Sequence, residues 1–293
     1  MSLEPTALLV VLACAFAWVG LDLLRKLLVV RGGALPITFL MVAAQVPLFF
    51  LWVLVDGRWT IGTGYWLPGL ICIAINLGAN LAYMRSVKLS PMSATLPLLS
   101  LTPVFASLAA IPLLAEIPRA AQAAGISIVV LGALVLNAEP ESGGFGGLWR
   151  GLLSEKGAPW MVATALFWSI SPALEKLSMR HAAPSMHAFV MVTGIVCGLG
   201  IALAVQGRLG EVGGLGHRGY TVLAASAVVS CLALFFQLLA IQMVQVGLVE
   251  TTKRGIGAAM ALLLGRLVFG EELSRQRMVA VALMVVGVWL VLA

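Results

Sequence analysis

Ser185 to Val205 reads SMHAFVMVTGIVCGLGIALAV, a run without one Asp, Glu, Lys or Arg. Coiled as an α-helix, a run of about 20 residues spans roughly 30 Å, the thickness of bilayer hydrocarbon. A helix is also what lipid demands, because no water is present there to satisfy free backbone N–H and C=O groups. Similar runs extend outward from it in both directions. The sequence predicts ten spans, at 6–24, 36–55, 66–85, 92–114, 120–138, 160–177, 185–205, 220–243, 247–269 and 277–293. Composition agrees: 61% of residues are hydrophobic, 10% are charged, and mean hydropathy is +1.06, far above what a water-soluble domain tolerates. The expected fold class is an all-α integral protein of the cell (inner) membrane, with ten transmembrane helices.

Breaks between the runs follow turn chemistry. Arg31-Gly32-Gly33, Asp56-Gly57-Arg58, Glu116-Ile117-Pro118-Arg119 and Gln206-Gly207-Arg208 each join charge to Gly or Pro. The longest break, residues 139–158 (EPESGGFGGLWRGLLSEKGA), falls near the middle and reads as a linker between 1–138 and 159–293. These halves echo each other. Trp18 and Lys26 match Trp168 and Lys176 at a shift of 150; Ala115-Glu116 matches Gly270-Glu271 at a shift of 155, and Gly132-Ala133-Leu134-Val135 matches Gly287-Val288-Trp289-Leu290 at the same shift. A duplicated unit of five helices enters the membrane the second time from the opposite face. The expected architecture is therefore two inverted five-helix repeats about a two-fold axis in the membrane plane, with a solute site near the midplane between them.

The net charge of +6 does not indicate a nucleic-acid partner, since most Lys and Arg stand at the ends of apolar runs, where they snorkel, and form no stripe interleaved with aromatics. Cys14, Cys72, Cys197 and Cys231 lie inside apolar runs without CxxC spacing and read as packing residues. Glu4 is the one charge ahead of the first span, which therefore reads as a retained helix rather than a cleaved signal. His181, His187 and His217 lack metal-ligand spacing, and no phosphate-binding glycine motif opens a helix. The sequence thus predicts no catalytic residues, no metal, no cofactor and no ATP-driven motor. Its expected partners are a small-molecule solute and the lipid bilayer, with the chain acting as a monomer or a homodimer.

Polar residues inside the spans are the candidate substrate-binding groups. Lys253 and Arg254 lie about six residues, or roughly 9 Å, into the ninth span, a depth at which charges face a cavity or a partner; Glu250 stands one helical turn away and could neutralise them. Asn76, Asn80 and Tyr83 share one face of the third span, and Ser226, Ser230 and Gln237 share one face of the eighth. Such faces line a hydrated cavity or bond helices together. Of the second set, Gln237 is the candidate, because serines are ordinary packing residues. Trp18 and Trp168 sit well inside the first and sixth spans, away from the interfacial belt, and could wall a central cavity or pack the core. Gly194 and Gly198 form a GxxxG for close helix contact, and Glu116, Glu271 and Glu272 read as turn-fixing groups at helix ends.

The strings Ser90-Pro91-Met92-Ser93-Ala94, Leu101-Thr102-Pro103-Val104-Phe105, Ala115-Glu116 and Val268-Phe269-Gly270-Glu271 resemble EamA-type members of the drug/metabolite transporter superfamily, over essentially the full length. Val246-Gly247-Leu248-Val249-Glu250-Thr251-Thr252-Lys253-Arg254 resembles the ninth helix of triose-phosphate and nucleotide-sugar translocators, where a Lys-Arg pair contacts the substrate phosphate. Leu99 departs from the phosphate translocators, whose pattern has a lysine four residues before the proline matching Pro103. The resemblance implies a secondary transporter of a small organic metabolite carrying an anionic group, with amino-acid or drug efflux, or flipping of a lipid-linked sugar, as alternatives. It also implies cytoplasmic termini. The positive-inside rule points the other way, because the loops after odd-numbered spans are the more basic. The cytoplasmic placement is the expectation carried forward.

Overall fold

In lipid, helices bury little apolar surface that they would not also bury against acyl chains, so their packing depends on small residues and on a few polar contacts. The computed structural model of the protein shows both devices. It describes residues 4–29, 33–90, 95–136, 155–269 and 275–292. Most of the 139–158 linker lies outside them, as do Met92-Ser93-Ala94 and Gly270-Glu271.

The described chain is helical, with no strand among the described residues. Its helices are α1 (Pro5–Val29), α2 (Ala34–Ala43), α3 (Val46–Asp56), α4 (Trp66–Leu89), α5 (Thr102–Leu114), α6 (Ala120–Leu136), α7 (Ala158–Ser178), α8 (Pro184–Val205), α9 (Gly216–Met243), α10 (Val246–Phe269) and α11 (Arg275–Leu292). Six described segments are long and apolar enough to cross a membrane: Pro5–Arg25, Ala34–Asp56, Thr63–Ser86, Pro184–Val205, Gly216–Met243 and Arg275–Leu292. Leu98–Leu114 and Ala120–Leu136 are shorter apolar helices.

Two of the expected spans are not continuous α-helices, and proline is the reason in both. The 36–55 run breaks between α2 and α3, where Pro47 has no N–H to give to the carbonyl one turn earlier. Beside the break, the buried Gln45 amide donates to the Met41 carbonyl at 3.0 Å. The 92–114 run becomes a 3-10 turn, Leu96–Leu101, followed by α5. Pro103 has no N–H for the Leu99 carbonyl, which accepts instead from the Thr102 backbone N–H and from the Thr102 hydroxyl, the latter at 2.7 Å.

Helices from the two halves of the chain interleave. α1 lies along α9 and α10, α7 lies along α4 and α5, α10 also packs on α5 and α11, and α8 covers α2, α3 and α4. The pairing of α6 with α11 is the closest. A Cβ on Gly125 would come within 2.6 Å of the Gly287 carbonyl oxygen, and one on Gly287 within 2.7 Å of the Gly125 oxygen. Seven residues further along α6, Gly132 meets the Ala280 carbonyl, seven residues earlier on α11, so the two helices run antiparallel. The Gly194 and Gly198 pair likewise lets α8 approach Ile73 and Leu77 of α4.

At one end of the bundle, polar loop contacts tie the helix termini. Glu116 accepts from Lys176 Nζ at 2.6 Å and from the Val246 N–H at 2.8 Å, while Lys176 also donates to the Val244 carbonyl at 2.9 Å. One carboxylate thus joins the end of α5 to the end of α7 and caps the start of α10, whose first N–H groups favour a negative partner. Asp56, at the end of α3, holds Arg58 and accepts from Ser185 at the start of α8. At the opposite end, the Ser86 hydroxyl donates to the Gly157 carbonyl at 2.8 Å and the Gly157 N–H donates to Ser90 Oγ at 2.9 Å, which fixes the end of α4 to the start of α7. Nearby, Arg208 forks onto Glu211 and holds its carboxyl below the usual range.

Candidate functional site

Lys253 follows Val246 by seven residues of α10, about 10 Å below the helix start at 1.5 Å per residue. Its side chain is 12% exposed. A cation so placed needs compensation, and three helices supply it. Glu250, one turn back on α10, accepts from Nζ at 2.6 Å; Gln237 Oε1 of α9 accepts at 2.8 Å; and the Trp18 ring of α1 lies with its centroid 4.7 Å from Nζ. The buried Trp18 indole N–H sits beside the Cys14 thiol but makes no hydrogen bond of ordinary geometry.

From Gln237 the network continues away from the cation. Gln237 Nε2 donates to Glu175 Oε2 at 2.9 Å, Ser171 Oγ donates to Glu175 Oε1 at 2.9 Å, and Asn76 Nδ2 donates to Ser171 Oγ at 2.6 Å. An unbroken polar chain thus runs Glu250, Lys253, Gln237, Glu175, Ser171, Asn76, drawing on α10, α9, α7 and α4. Glu175 and Glu250 are each 3% exposed. Among the described residues no cation stands within ion-pair distance of Glu175. Lys253 reaches it only through the Gln237 amide.

Arg254 points elsewhere, since consecutive helix residues face about 100° apart. Its Nε donates to Thr102 Oγ1 at 2.8 Å, and Ser169 Oγ of α7 reaches the Thr102 carbonyl at 3.1 Å. Arg254 is therefore fastened to the proline break in front of α5, where a 3-10 segment meets an α-helix. Such breaks mark hinges and binding positions in membrane helices.

Of the residues expected to bind solute, the structure joins Lys253, Gln237, Asn76 and Trp18 in one network and sets Arg254 on the neighbouring break. Asn80 instead donates to the Asn76 carbonyl within its own helix, at 2.8 Å. Tyr83 and Trp168 form a ring pair across α4 and α7, with centroids 5.7 Å apart. The two tryptophans thus serve different neighbours, Lys253 for Trp18 and Tyr83 for Trp168. Ser226 and Ser230 bond carbonyls of their own helix, as packing serines do. His187 is wholly buried against the Tyr65 hydroxyl at 3.1 Å. Among the described residues no three His, Cys, Asp or Glu side chains come together as a metal would need. A groove of about 240 Å³ between α3 and α9, lined by Phe49, Trp52 and Phe235 among others, offers no charged group to orient a solute.

Sequence reasoning missed Glu175 and Ser171. A signal for the first was present: Glu175 is a carboxylate inside the 160–177 run, and ionisable groups within spans mark function. It is overshadowed by its neighbour Lys176, which gives the pair the look of an ordinary helix end. Ser171 carries no such signal.

The sequence pattern of the EamA-like transporter family matches this chain over residues 5–138 and again over 155–293. A solved crystal structure, described only as that of a protein, is similar over 98% of this chain and 96% of its own, with a TM-score of 0.77 and 18% identity. That likeness concerns the fold. None of the curated proteins matches.

Proposed function

The chain belongs to the EamA-like transporter family, and from that premise we propose that it is a secondary transporter of a small organic metabolite with an anionic group, working by alternating access between two inverted five-helix repeats. The observation that carries this reading is Lys253, a membrane-buried ammonium held by a carboxylate, an amide and an aromatic ring from three helices. Fixed partners in a low-dielectric site keep the side chain aimed, ready to exchange one of them for a solute anion. Arg254 supplies a second cation on the hinge before α5. With no phosphate-binding loop in the sequence, the movement draws on gradients or exchange.

Support for the inverted arrangement comes from α6 and α11. The 155-residue shift that matches Gly132 to Gly287 also carries Gly125 onto Ala280, and these four form two equivalent contacts, Gly125 with Gly287 and Gly132 with Ala280. A two-fold axis through the contact would produce that reciprocity. Because the helices run antiparallel, such an axis lies in the membrane plane. The packing of α1 on α9 and α10 is repeated by α7 on α4 and α5, as the same operation requires.

Counterflow in proteoliposomes tests the anion reading. Glycerol 3-phosphate, inorganic phosphate and lactate are the probes, and Lys253→Ala and Arg254→Ala the variants. Removing a charge-assisted contact of about 2–3 kcal/mol should lower exchange by roughly 30-fold to 150-fold. Exchange of an anion at the unaltered rate by both variants would end the proposed role. A second reading, an amino-acid carrier, is favoured by one observation: Glu175, without an ion-pair partner, could receive an ammonium while Lys253 receives a carboxylate. Saturable exchange of a neutral amino acid, with none for the anions, would select it.

A further inference from the structure

Counting the buried charges points to what accompanies the solute. At their formal charges, the two buried carboxylates Glu175 and Glu250 match Lys253 and Arg254, so the formal charges of these four described residues sum to zero. An anion that binds Lys253 adds a negative charge to a region where an uncompensated one is strongly unfavourable. The imbalance is removed if one carboxylate takes a proton. The two carboxylates are not equivalent: Glu250 touches the Lys253 ammonium, whereas Glu175 accepts only an amide and a hydroxyl hydrogen bond.

Resting on the anion reading above, we infer that Glu175 is a proton-binding site and that the protein moves its anion together with a proton. On the side to which the site is open, solute oxygens replace Gln237 beside Lys253 while Glu250 keeps its ion pair, and the Glu175 carboxylate gains a proton from the aqueous side. On the other side solute and proton leave, and Gln237 returns to Lys253. A monoanion thus crosses with one proton and no net charge. The Gln237 amide is the relay, because its oxygen holds the ammonium and its Nε2 holds Glu175, so movement of Lys253 is felt directly at the carboxylate.

The surroundings of Glu175 leave few other groups for this task. α4 brings Cys72, whose sulfur lies 3.6 Å from Ser171 Oγ, and Asn76, which does not titrate here. α1 brings Cys14, α9 brings the Gln237 amide, and α10 brings Glu250, Lys253 and Arg254. Neither α5 nor the Leu96–Leu101 turn contains a titratable side chain. Lys176, the next residue along α7, is turned outward to Glu116. Proton binding at Glu175 and the tie that joins α5, α7 and α10 therefore act on adjacent residues of one helix end.

The experiment uses the full chain in proteoliposomes with a trapped pH-indicator dye and the same three anions. In the unaltered protein, an imposed acidic exterior should drive net anion uptake, and an anion gradient alone should acidify the interior. Glu175→Gln should lose the gradient-driven uptake and the pH dependence of exchange, with Glu175→Asp restoring part of both. Exchange without proton movement in the unaltered protein overturns the inference while leaving the anion reading standing. Gradient-driven uptake that persists in Glu175→Gln overturns it too. Loss of every transport mode in a folded Glu175→Gln would make the residue structural and overturn it likewise. If none of the three anions exchanges, or only a zwitterion that brings its own cation does, the anion reading falls and this inference with it.

Discussion

The 155-residue spacing that matches Ala115-Glu116 to Gly270-Glu271 also lays Lys253 and Arg254 over Leu98 and Leu99, and the two places differ in nearly every physical respect. On α10 the helix is continuous, and the two side chains are charged and held by partners on other helices. Ahead of α5 the backbone is broken by proline, and the side chains are apolar: Leu98 is fully buried among residues such as Val130, Leu134, Met161 and Ala165. One copy thus offers charged side chains on a regular helix and the other an irregular backbone among apolar ones. They meet where Arg254 binds Thr102. Equivalent positions can share a fold and divide the work, because packing constrains the helix axes and leaves the chemistry of each facing side chain free.

Moving charge into the apolar copy should do the most damage. Leu98→Lys places an ammonium among apolar side chains such as Val130, Leu134 and Met161, and about 3 kcal/mol or more of stability should be lost. Thermal unfolding in detergent would show it as a large drop in midpoint, and a midpoint close to that of the unaltered protein would mean that a polar route reaches this site. Where the two halves are alike, substitutions should be alike. Gly125→Ala and Gly287→Ala each force a methyl against backbone oxygen of the other helix, and each should cost about 1–3 kcal/mol. Clearly unequal losses would break the reciprocity of α6 and α11. The smallest effect belongs to the junction. Thr102→Val removes the hydroxyl donor to Leu99 and the acceptor of Arg254 without changing size, so anion exchange should fall by about tenfold, less than for Lys253→Ala.

Much of the fold was readable beforehand because it depends on local properties. Span positions follow from hydropathy alone, and α8 begins one residue before the run read from it. The proline breaks at Pro47 and Pro103 were also written in the chain, but they were absorbed into apolar runs that look continuous to a hydropathy window. At the site, Lys253, Gln237 and Asn76 stood out as polar groups within apolar spans, and the structure links all three. Asn80 shared the face of Asn76 and yet bonds within α4, since a common helix face says which direction a side chain takes and not what lies there.

What the sequence determined by itself is therefore the solvent of this protein, the places where its helices lie, and the few polar groups that cannot face lipid. Those are consequences of transfer free energy, residue by residue. Tertiary structure alone decided that Lys253 bonds Gln237, that Gln237 passes the contact to Glu175, and that Gly125 faces Gly287. The physical reason is that the helices are apolar on nearly all sides. Lipid and protein core are equally good surroundings for such a surface, so no periodic pattern records which face turns inward.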